Sequence, residues 1–182
     1  MTGTSEWGVP PILSDRLELV SMSPGFIEAL MGGDRERAAS VIGLRLPASW
    51  PEEIHHLLNR RLEQMRRDPS EQPWLARAMV LRNDDRTVIG NIGFHGPPDG
   101  RGMVEVGYTV DPDHRRRGYA EEAVRALFDW ASREHGIRLF RASVGPNNEP
   151  SLGLIRKLGF VQTGVQWDEI DGEELVFELD RT

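Results

Sequence analysis

A strand, helix and strand pattern over residues 103–144 constrains the fold more than any other feature of the sequence. Residues 103–110 alternate as a strand with two different faces does, and residues 118–135 repeat apolar side chains at helical spacing. Gly136 ends the helical pattern, and residues 137–144 form a second strand pattern. Two strands joined by a helix of this length predict a parallel pair with a right-handed crossover.

Further strands and helices are predicted on either side of this unit. The patterns predict strands at residues 16–22, 74–82, 88–96, 160–167 and 173–180, and helices at residues 24–33, 34–43, 49–68 and 147–159. This order predicts an α/β (α+β) fold built on a sheet of about seven strands. No repeat, low-complexity tract or linker divides the chain, so we expect one domain over residues 1–182 with a flexible start at residues 1–12.

Composition limits the classes of function that the chain can serve. The absence of cysteine excludes disulfides, thiolate nucleophiles and cysteine-bound metals. The formal net charge of −7 disfavours a general nucleic-acid binder, because affinity for the phosphate backbone needs a positive surface. No secretory signal pattern and no apolar run of about 20 residues is visible. We therefore expect a cytoplasmic protein that binds neither nucleic acid nor a membrane.

The segment "DHRRRGYAEEA", residues 113–123, places a basic turn at the start of the central helix. The first amides of a helix have no partner within it, and the helix dipole favours an anion there. Arginine side chains add charge-assisted hydrogen bonds, and Gly118 lets the backbone approach a bulky group. The turn lacks the ending of a P-loop and the glycines of a dinucleotide fingerprint. Taken alone, it fits a solvated helix start as well as a phosphate site.

With its neighbours, the turn resembles the pyrophosphate-binding motif of the GNAT family of N-acetyltransferases, Gln/Arg-x-x-Gly-x-Gly/Ala. The matching residues of this and of the family's later Asn-x-x-Ser/Ala and Lys-x-Gly-Phe motifs are Arg115, Gly118, Ala120, Asn148, Ser151, Lys157, Gly159 and Phe160. The segments "VIGNIGF" and "VEVGYTVDPDHRRRGYA" are similar to the family's third and fourth strands. The segment "LSDRLELVSM" resembles the start of the sequences in the branch of the family that acetylates ribosomal-protein N-termini. The resemblance extends from about residue 13 to about residue 180.

The resemblance implies the GNAT fold, a mixed and mostly antiparallel twisted sheet with a splayed parallel centre and helices on both faces. It also implies acetyl-coenzyme A as co-substrate, with no metal. The cofactor-binding residues that it implies are Tyr108, Thr109, Val110, Arg115, Arg116, Arg117, Gly118, Tyr119, Ala120 and Asn148. The first three supply backbone contacts along the strand, and residues 115–120 surround the pyrophosphate. Asn148 reaches the pantetheine amide.

Glu105 is the first candidate for the base that takes the proton of the attacking amine. Strand alternation places it opposite the face that carries Val104, and the ribosomal branch has a glutamate at this point. An ordinary polar residue on a solvated face is the alternative, and His95 is the second candidate base. Many family members carry a tyrosine acid where this chain has Ile155, so Ser151 is the candidate donor to the departing sulfur. Ser151 could also be only a helix cap.

The resemblance implies an N-acetyltransferase that moves an acetyl group to a primary amine, either a protein N-terminus or a small amine, by direct attack in a ternary complex. The alternative is a non-catalytic domain that binds acyl-coenzyme A as a sensor or partner. The sequence does not select the acceptor, although five acidic residues in the last hairpin, within residues 167–174, favour a cationic amine. A homodimer is expected only by analogy with the family.

Overall fold

The structure is a computed structural model that describes residues 8–40, 43–83 and 85–182. Its strands are β1 (Ile12–Leu13), β2 (Leu17–Ser21), β3 (Arg77–Leu81), β4 (Val88–Phe94), β5 (Met103–Val110), β6 (Leu139–Val144), β7 (Val161–Asp168) and β8 (Gly172–Asp180). Its α-helices are α1 (Pro24–Met31), α2 (Arg35–Ser40), α3 (His55–Arg67), α4 (Tyr119–His135) and α5 (Glu149–Lys157). Short 3-10 helices lie at Glu52–Ile54, Pro69–Trp74 and Pro112–His114.

The described strands form a sheet in the order β1-β2-β3-β4-β5-β6-β8-β7. The pairs β1·β2, β2·β3, β3·β4, β6·β8 and β7·β8 are antiparallel. Strands β5 and β6 are parallel, with Met103 opposite Leu139 and Val106 opposite Ala142, and α4 connects them in sequence. This mixed, mostly antiparallel sheet confirms the predicted fold class.

The sheet has eight strands in the described residues rather than about seven. The additional strand is β1, where Ile12 pairs with Leu19 of β2 and is buried. Residue 12 therefore belongs to the sheet, whereas the expected flexible start had included it. Residues 1–7 of that start lie outside the described residues.

The third helix begins later than its sequence pattern predicts. Residues Glu52–Ile54 form a tighter 3-10 turn, in which the Ile54 N–H donates to the Pro51 carbonyl at 3.0 Å, and α3 starts at His55. Ile54 has φ −115°, outside α-helical geometry, so the two helical segments are distinct. The helix itself lies within the predicted range of residues 49–68, and its apolar side chains Leu58, Leu62 and Met65 are buried.

The chain forms two compact units, the first of Met1–Gly93 with Tyr108–Leu127 and the second of Phe94–Gly107 with Phe128–Thr182. A single domain over the whole chain stays a prediction. The core of the first unit consists of buried apolar residues, most of them from β2, α1, α3 and β3 and others from the connecting segments. Its members include Val20, Phe26, Ile27, Leu30, Trp50, Leu58, Met65, Ala78 and Val80.

A charged side chain, Arg77, is enclosed in the first unit. It is 0% exposed and donates to the backbone carbonyls of Pro10, Leu19 and Pro73 at 3.2, 3.3 and 2.9 Å. Burial lowers the pKa of Arg77 to about 10, because water no longer stabilises the charge. Its hydrogen bonds tie the segment before β1, strand β2 and the turn before β3 to one point.

The second unit is built around four phenylalanines. Phe128 of α4 stacks on Phe140 of β6 with ring centroids 4.0 Å apart, and Phe94 and Phe160 lie 6.3 and 6.0 Å from Phe128. Phe160 reaches this cluster because α5 ends at Gly159, which has φ +91°, and the Phe160 N–H donates to the Ile155 carbonyl. A glycine in this conformation is a common helix C-cap, and it lies at residue 159, where the sequence pattern predicted the end of the helix.

Candidate functional site

Strand β5 presents two chemically different faces, as alternation predicts. Val104, Val106 and Val110 are buried at 1, 3 and 9% exposure, whereas Glu105 is half-buried and Thr109 is exposed. The parallel pairing runs as far as Val106, and both strands continue beyond it, β5 to Val110 and β6 to Val144.

A glycine in β4 allows the backbone of β5 to come unusually close. A Cβ atom built on Gly90 would lie 2.2 Å from the carbonyl oxygen of Thr109 and 3.0 Å from the Cα atom of Val110. Real Cβ atoms do not approach other atoms so closely, so any side chain here would displace the strand that carries Tyr108, Thr109 and Val110. The segment "VIGNIGF" thus needs its first glycine for a steric reason.

The basic turn after β5 has the geometry of an anion cradle. After the 3-10 helix Pro112–His114, Arg116 has φ +59° and Gly118 has φ +79°, and α4 begins at Tyr119. Among the described residues, the backbone N–H groups of residues 116–120 donate to no acceptor. The first helical bond runs from the Glu122 N–H to the Gly118 carbonyl at 3.1 Å. Five adjacent amides and a helix N-terminus thus lack partners within the part of the chain that the structure describes, as expected for phosphate binding.

The three arginines of the turn are not equivalent. The Arg115 guanidinium Nε donates to the Val110 carbonyl at 2.8 Å, which braces the turn against the end of β5. Arg116 and Arg117 are exposed, and neither side chain makes a hydrogen bond or ion pair with any described residue. Arg116 and Arg117 are therefore the side chains of the turn that can turn towards an anion.

The two glutamates of the first helical turn are both engaged by arginines. Glu121 accepts from Arg125 at 3.0 Å, and Glu122 pairs with Arg16 at 2.6 Å. Burial acts to raise the pKa of Glu122, but hydrogen bonds from the Arg16 backbone, the Ser14 hydroxyl and the Arg16 guanidinium outweigh it and lower the pKa. Both carboxylates thus carry a counter-charge beside the turn.

Glu105 belongs to a connected polar cluster in the second unit. Its Oε1 accepts from the Ser143 hydroxyl at 2.6 Å, and its Oε2 lies 3.7 Å from the Arg141 Nε. Gln166 of β7 donates to the Ser143 hydroxyl at 3.0 Å and accepts from Arg141 at 2.5 Å. Glu105 is thus a carboxylate held by neighbours, with its side chain 22% exposed, rather than a fully solvated residue.

His95 lies beside the same carboxylate. The ring Nδ1 of His95 is 3.7 Å from the Glu105 Oε1. The backbone N–H of His95 donates to the backbone carbonyl of Glu105 at 2.8 Å. A Cβ atom on Gly107 would lie 2.9 Å from the His95 Nε2, so the ring lies over a position where only glycine fits without a shift. Both candidate bases therefore occupy one small region of the second unit.

The start of α5 separates the roles expected of Asn148 and Ser151. Asn148 is the N-cap, and its side-chain oxygen accepts from the Ser151 backbone N–H at 3.3 Å. Ser151 is therefore not the cap, and its half-buried hydroxyl does not serve that purpose. Ile155 is 0% exposed, so it packs in the core where many family members carry the tyrosine acid.

Sequence reasoning missed Ser143, Arg141 and Gln166. The alternating burial of β6 places Arg141 and Ser143 on the face of Glu105 once the strands are parallel and in register, so this signal was present. The position of Gln166 could not be predicted in this way. Strand β7 pairs with β8, and the register of that pair shifts at an irregularity between residues 162 and 164. Arg16 was missed because its partner Glu122 is 106 residues away in the sequence.

Two kinds of feature are absent from the described residues. Over residues 8–40, 43–83 and 85–182, no group of three or more histidine, aspartate or glutamate side chains is arranged to hold a metal ion. Within the same ranges, no helix is long and apolar enough to cross a membrane.

Comparison with known proteins identifies the family. Residues 16–161 match the model of the acetyltransferase (GNAT) domain, so the chain belongs to the GNAT family and the resemblance read from its motifs is confirmed. The uncharacterized N-acetyltransferase YjdG of Bacillus subtilis is 34% identical over 83 residues, which are 46% of this chain and 49% of that protein. The chain thus spans about half the length of curated relatives that it matches.

Solved structures share the fold. The ribosomal-protein-S5-alanine acetyltransferase from Vibrio fischeri has a TM-score of 0.63 at 15% identity, over 94% of this chain and 96% of that one. The ribosomal L7/L12 alpha-N-protein acetyltransferase RimL in complex with coenzyme A has a TM-score of 0.63 at 16% identity, over 93% and 97% of the two chains. Ribosomal-protein acetyltransferases are therefore among the proteins with this fold.

Proposed function

We propose that this chain is an N-acetyltransferase that uses acetyl-coenzyme A and acetylates a primary amine by direct attack. The row of unpartnered backbone amides at residues 116–120, on a basic turn at a helix N-terminus, carries this proposal. That arrangement suits the pyrophosphate of coenzyme A, because amides, guanidinium groups and a helix dipole all favour a multiply charged anion. Coenzyme A bound to a RimL with the same fold supports the choice of ligand.

The residues of the turn and of β5 make different contacts with coenzyme A. Gly118 leaves room for the phosphates, and the amides of residues 116–120 donate to their oxygens. Arg116 and Arg117 add charge from side chains without other partners in the described chain. Backbone groups of Tyr108, Thr109 and Val110 hold the pantetheine arm along β5, and Asn148 reaches its amide.

The chemistry forms a C–N bond and breaks a C–S bond. The neutral amine attacks the thioester carbonyl, and a backbone amide of β5 stabilises the negative oxygen that develops. Glu105 accepts the proton that the amine loses, directly or through a water molecule. Ser151 donates a hydrogen bond to the departing thiolate, in place of the missing tyrosine. Ser143 holds the Glu105 carboxylate in one orientation through its 2.6 Å hydrogen bond.

The acceptor that the chain favours is a cationic amine. The β7–β8 hairpin carries five acidic residues beside an exposed tryptophan, Trp167, which is 78% exposed. Negative charge attracts a protonated amine, and an exposed aromatic face can contact the rest of an acceptor. A protein N-terminus and a small polyamine both have this chemistry.

The test is release of coenzyme A thiol from acetyl-coenzyme A in the presence of a panel of primary amines. The wild type is expected to release thiol with at least one amine, and Glu105→Gln to lose about 10²–10⁴-fold in kcat, the usual worth of a general base. Glu18→Gln is the matched control, because the Glu18 side chain is also 22% exposed and is paired with an arginine, Arg86, but lies on β2 in the first unit.

The outcomes separate the enzyme from its alternative. Full activity of Glu105→Gln would remove Glu105 from the role of base and leave His95 as the candidate. Tight binding of acetyl-coenzyme A without turnover on any amine would favour a non-catalytic acyl-coenzyme-A-binding domain. The observation that favours this second function is the buried Ile155, which lies where many family members carry the tyrosine acid.

A further inference from the structure

We infer that Arg16 is a positioning residue for the phosphate-binding turn, which it holds in its binding conformation from outside the motif. This inference rests on the proposed function, since it concerns how the same turn meets coenzyme A. Arg16 precedes β2, far from the turn in sequence, and belongs with it to the first unit.

The guanidinium of Arg16 contacts successive positions around the turn. Its Nη1 donates to the Arg117 carbonyl at 3.0 Å, and its Nε donates to Glu122 Oε2 at 2.6 Å. Its Cζ lies 4.4 Å from the centroid of the Tyr119 ring, within the range of a cation–π contact. Its Nη2 would lie 3.4 Å from a Cβ atom on Gly118, so it packs directly against the glycine. One planar side chain thus touches residues 117, 118, 119 and 122.

The hydrogen bond to the Arg117 carbonyl fixes the direction of an amide. In a trans peptide unit the C=O of one residue and the N–H of the next point in opposite directions. Because the Arg117 carbonyl points to Arg16, the Gly118 N–H points away from Arg16. That N–H has no acceptor among the described residues. Arg16 therefore orients the central amide of the turn towards the space where an anion binds.

The contribution of Arg16 is geometric rather than a matter of net charge. Its charge is matched by Glu122, which also accepts from the Arg16 backbone N–H at 2.7 Å and from the Ser14 hydroxyl at 2.7 Å. These bonds anchor the backbone of Arg16 to α4 as well as its side chain. Donors fixed before binding do not lose conformational freedom on meeting the ligand, which is the advantage of preorganisation.

The test compares two acetyl donors in the full-length chain. Acetyl-coenzyme A carries the pyrophosphate, whereas S-acetylpantetheine lacks it. We expect Arg16→Ala to raise the KM for acetyl-coenzyme A and the Kd for coenzyme A about tenfold, close to the worth of one hydrogen bond from a charged donor. We expect kcat, and kcat/KM for S-acetylpantetheine, to stay within about twofold of the wild type, since neither depends on the turn.

Two variants separate geometry from charge and from folding. Arg16→Lys keeps the charge and a partner for Glu122, but a single ammonium cannot bridge Glu122 and the Arg117 carbonyl while lying flat on Tyr119. It is therefore expected to lose most of the affinity that Arg16→Ala loses. Arg125→Ala is the matched control, because Arg125 pairs with the other first-turn glutamate, Glu121, and makes no hydrogen bond or ion pair with the turn within the described residues. Its affinity for coenzyme A is expected to equal that of the wild type.

The outcomes are distinguishable from failure of the proposed function. If wild-type protein does not bind coenzyme A, the proposed function and this inference fall together. If the wild type binds and Arg16→Ala binds equally well, the inference alone is wrong. It is also wrong if Arg16→Lys restores wild-type affinity, or if both donors lose activity equally, because the role of Arg16 would then be charge or general stability.

Discussion

Arg116 offers a prediction in which stability and binding change in opposite directions. Its φ of +59° is left-handed, a conformation that costs a residue with a Cβ atom about 1–2 kcal/mol. Glycine avoids this cost but loses about 0.5–1 kcal/mol through greater freedom of the unfolded chain. Arg116→Gly should therefore stabilise the fold by about 0.5–1 kcal/mol, a rise in Tm of about 1–4 °C for a chain of this length. The same change removes a guanidinium that has no partner among the described residues, so coenzyme A should bind about five- to tenfold less tightly.

Arg116→Ala is the control that separates the two effects. Alanine removes the guanidinium but keeps the Cβ atom, so it should lose the same affinity without the gain in stability. Urea unfolding gives the free energies of unfolding, and calorimetric titration with coenzyme A gives the affinities. Equal free energies of unfolding for the glycine and alanine variants would contradict this prediction, because the backbone would then carry no strain at residue 116. Unchanged affinity in both variants would show that the side chain does not meet the ligand.

Further variants test the site and its support. Gly90→Ala should destabilise the fold by about 2 kcal/mol or more in urea unfolding, because its Cβ atom would lie 2.2 Å from the Thr109 carbonyl; a change below about 0.5 kcal/mol would contradict the close approach. Glu105→Gln should leave the Kd for coenzyme A within about twofold of the wild type while kcat falls, and a large loss of affinity would show a structural role instead. The pKa of Glu122 is lower in the folded protein than in the unfolded chain. The ionised carboxylate therefore stabilises the fold above its ordinary pKa, and this stabilisation is lost as the pH falls through the pKa of the folded protein. Urea unfolding should therefore show Glu122→Gln less stable than the wild type near neutral pH, with the difference shrinking as the pH falls below the ordinary glutamate pKa of 4.5, and a constant difference would contradict this linkage.

Periodicity and local motifs predicted the parts of the fold that depend on neighbours in sequence. The parallel pair joined by α4, the two faces of β5 and the glycine ending of α5 all follow from residues a few positions apart. The start of α3 did not follow, because its helical pattern does not distinguish an α-turn from the 3-10 turn at Glu52–Ile54. The short strand β1 was missed since two residues carry no periodicity.

The candidate site was predictable in its motifs but not in its supports. The motif identified Gly118 and the arginines. It did not predict the left-handed backbone of Arg116, because an arginine in a sequence does not indicate a positive φ. The partners of Glu105 come from β6 and β7, and their contact depends on strand register, which is set by pairing across the sheet. The pair of Arg16 with Glu122 joins segments that only the folded chain brings together.

Titration calorimetry of coenzyme A into the wild type and into Arg117→Glu measures whether the basic turn binds the pyrophosphate. Arg117 is exposed, its side chain has no partner in the described ranges, and its backbone carbonyl remains available to Arg16, so the variant should fold normally. We expect micromolar binding to the wild type and a loss of at least about tenfold in the variant, because a carboxylate would face the pyrophosphate. Equal binding by both proteins, or no binding by a folded wild type, would mean that the basic turn is only the start of a helix.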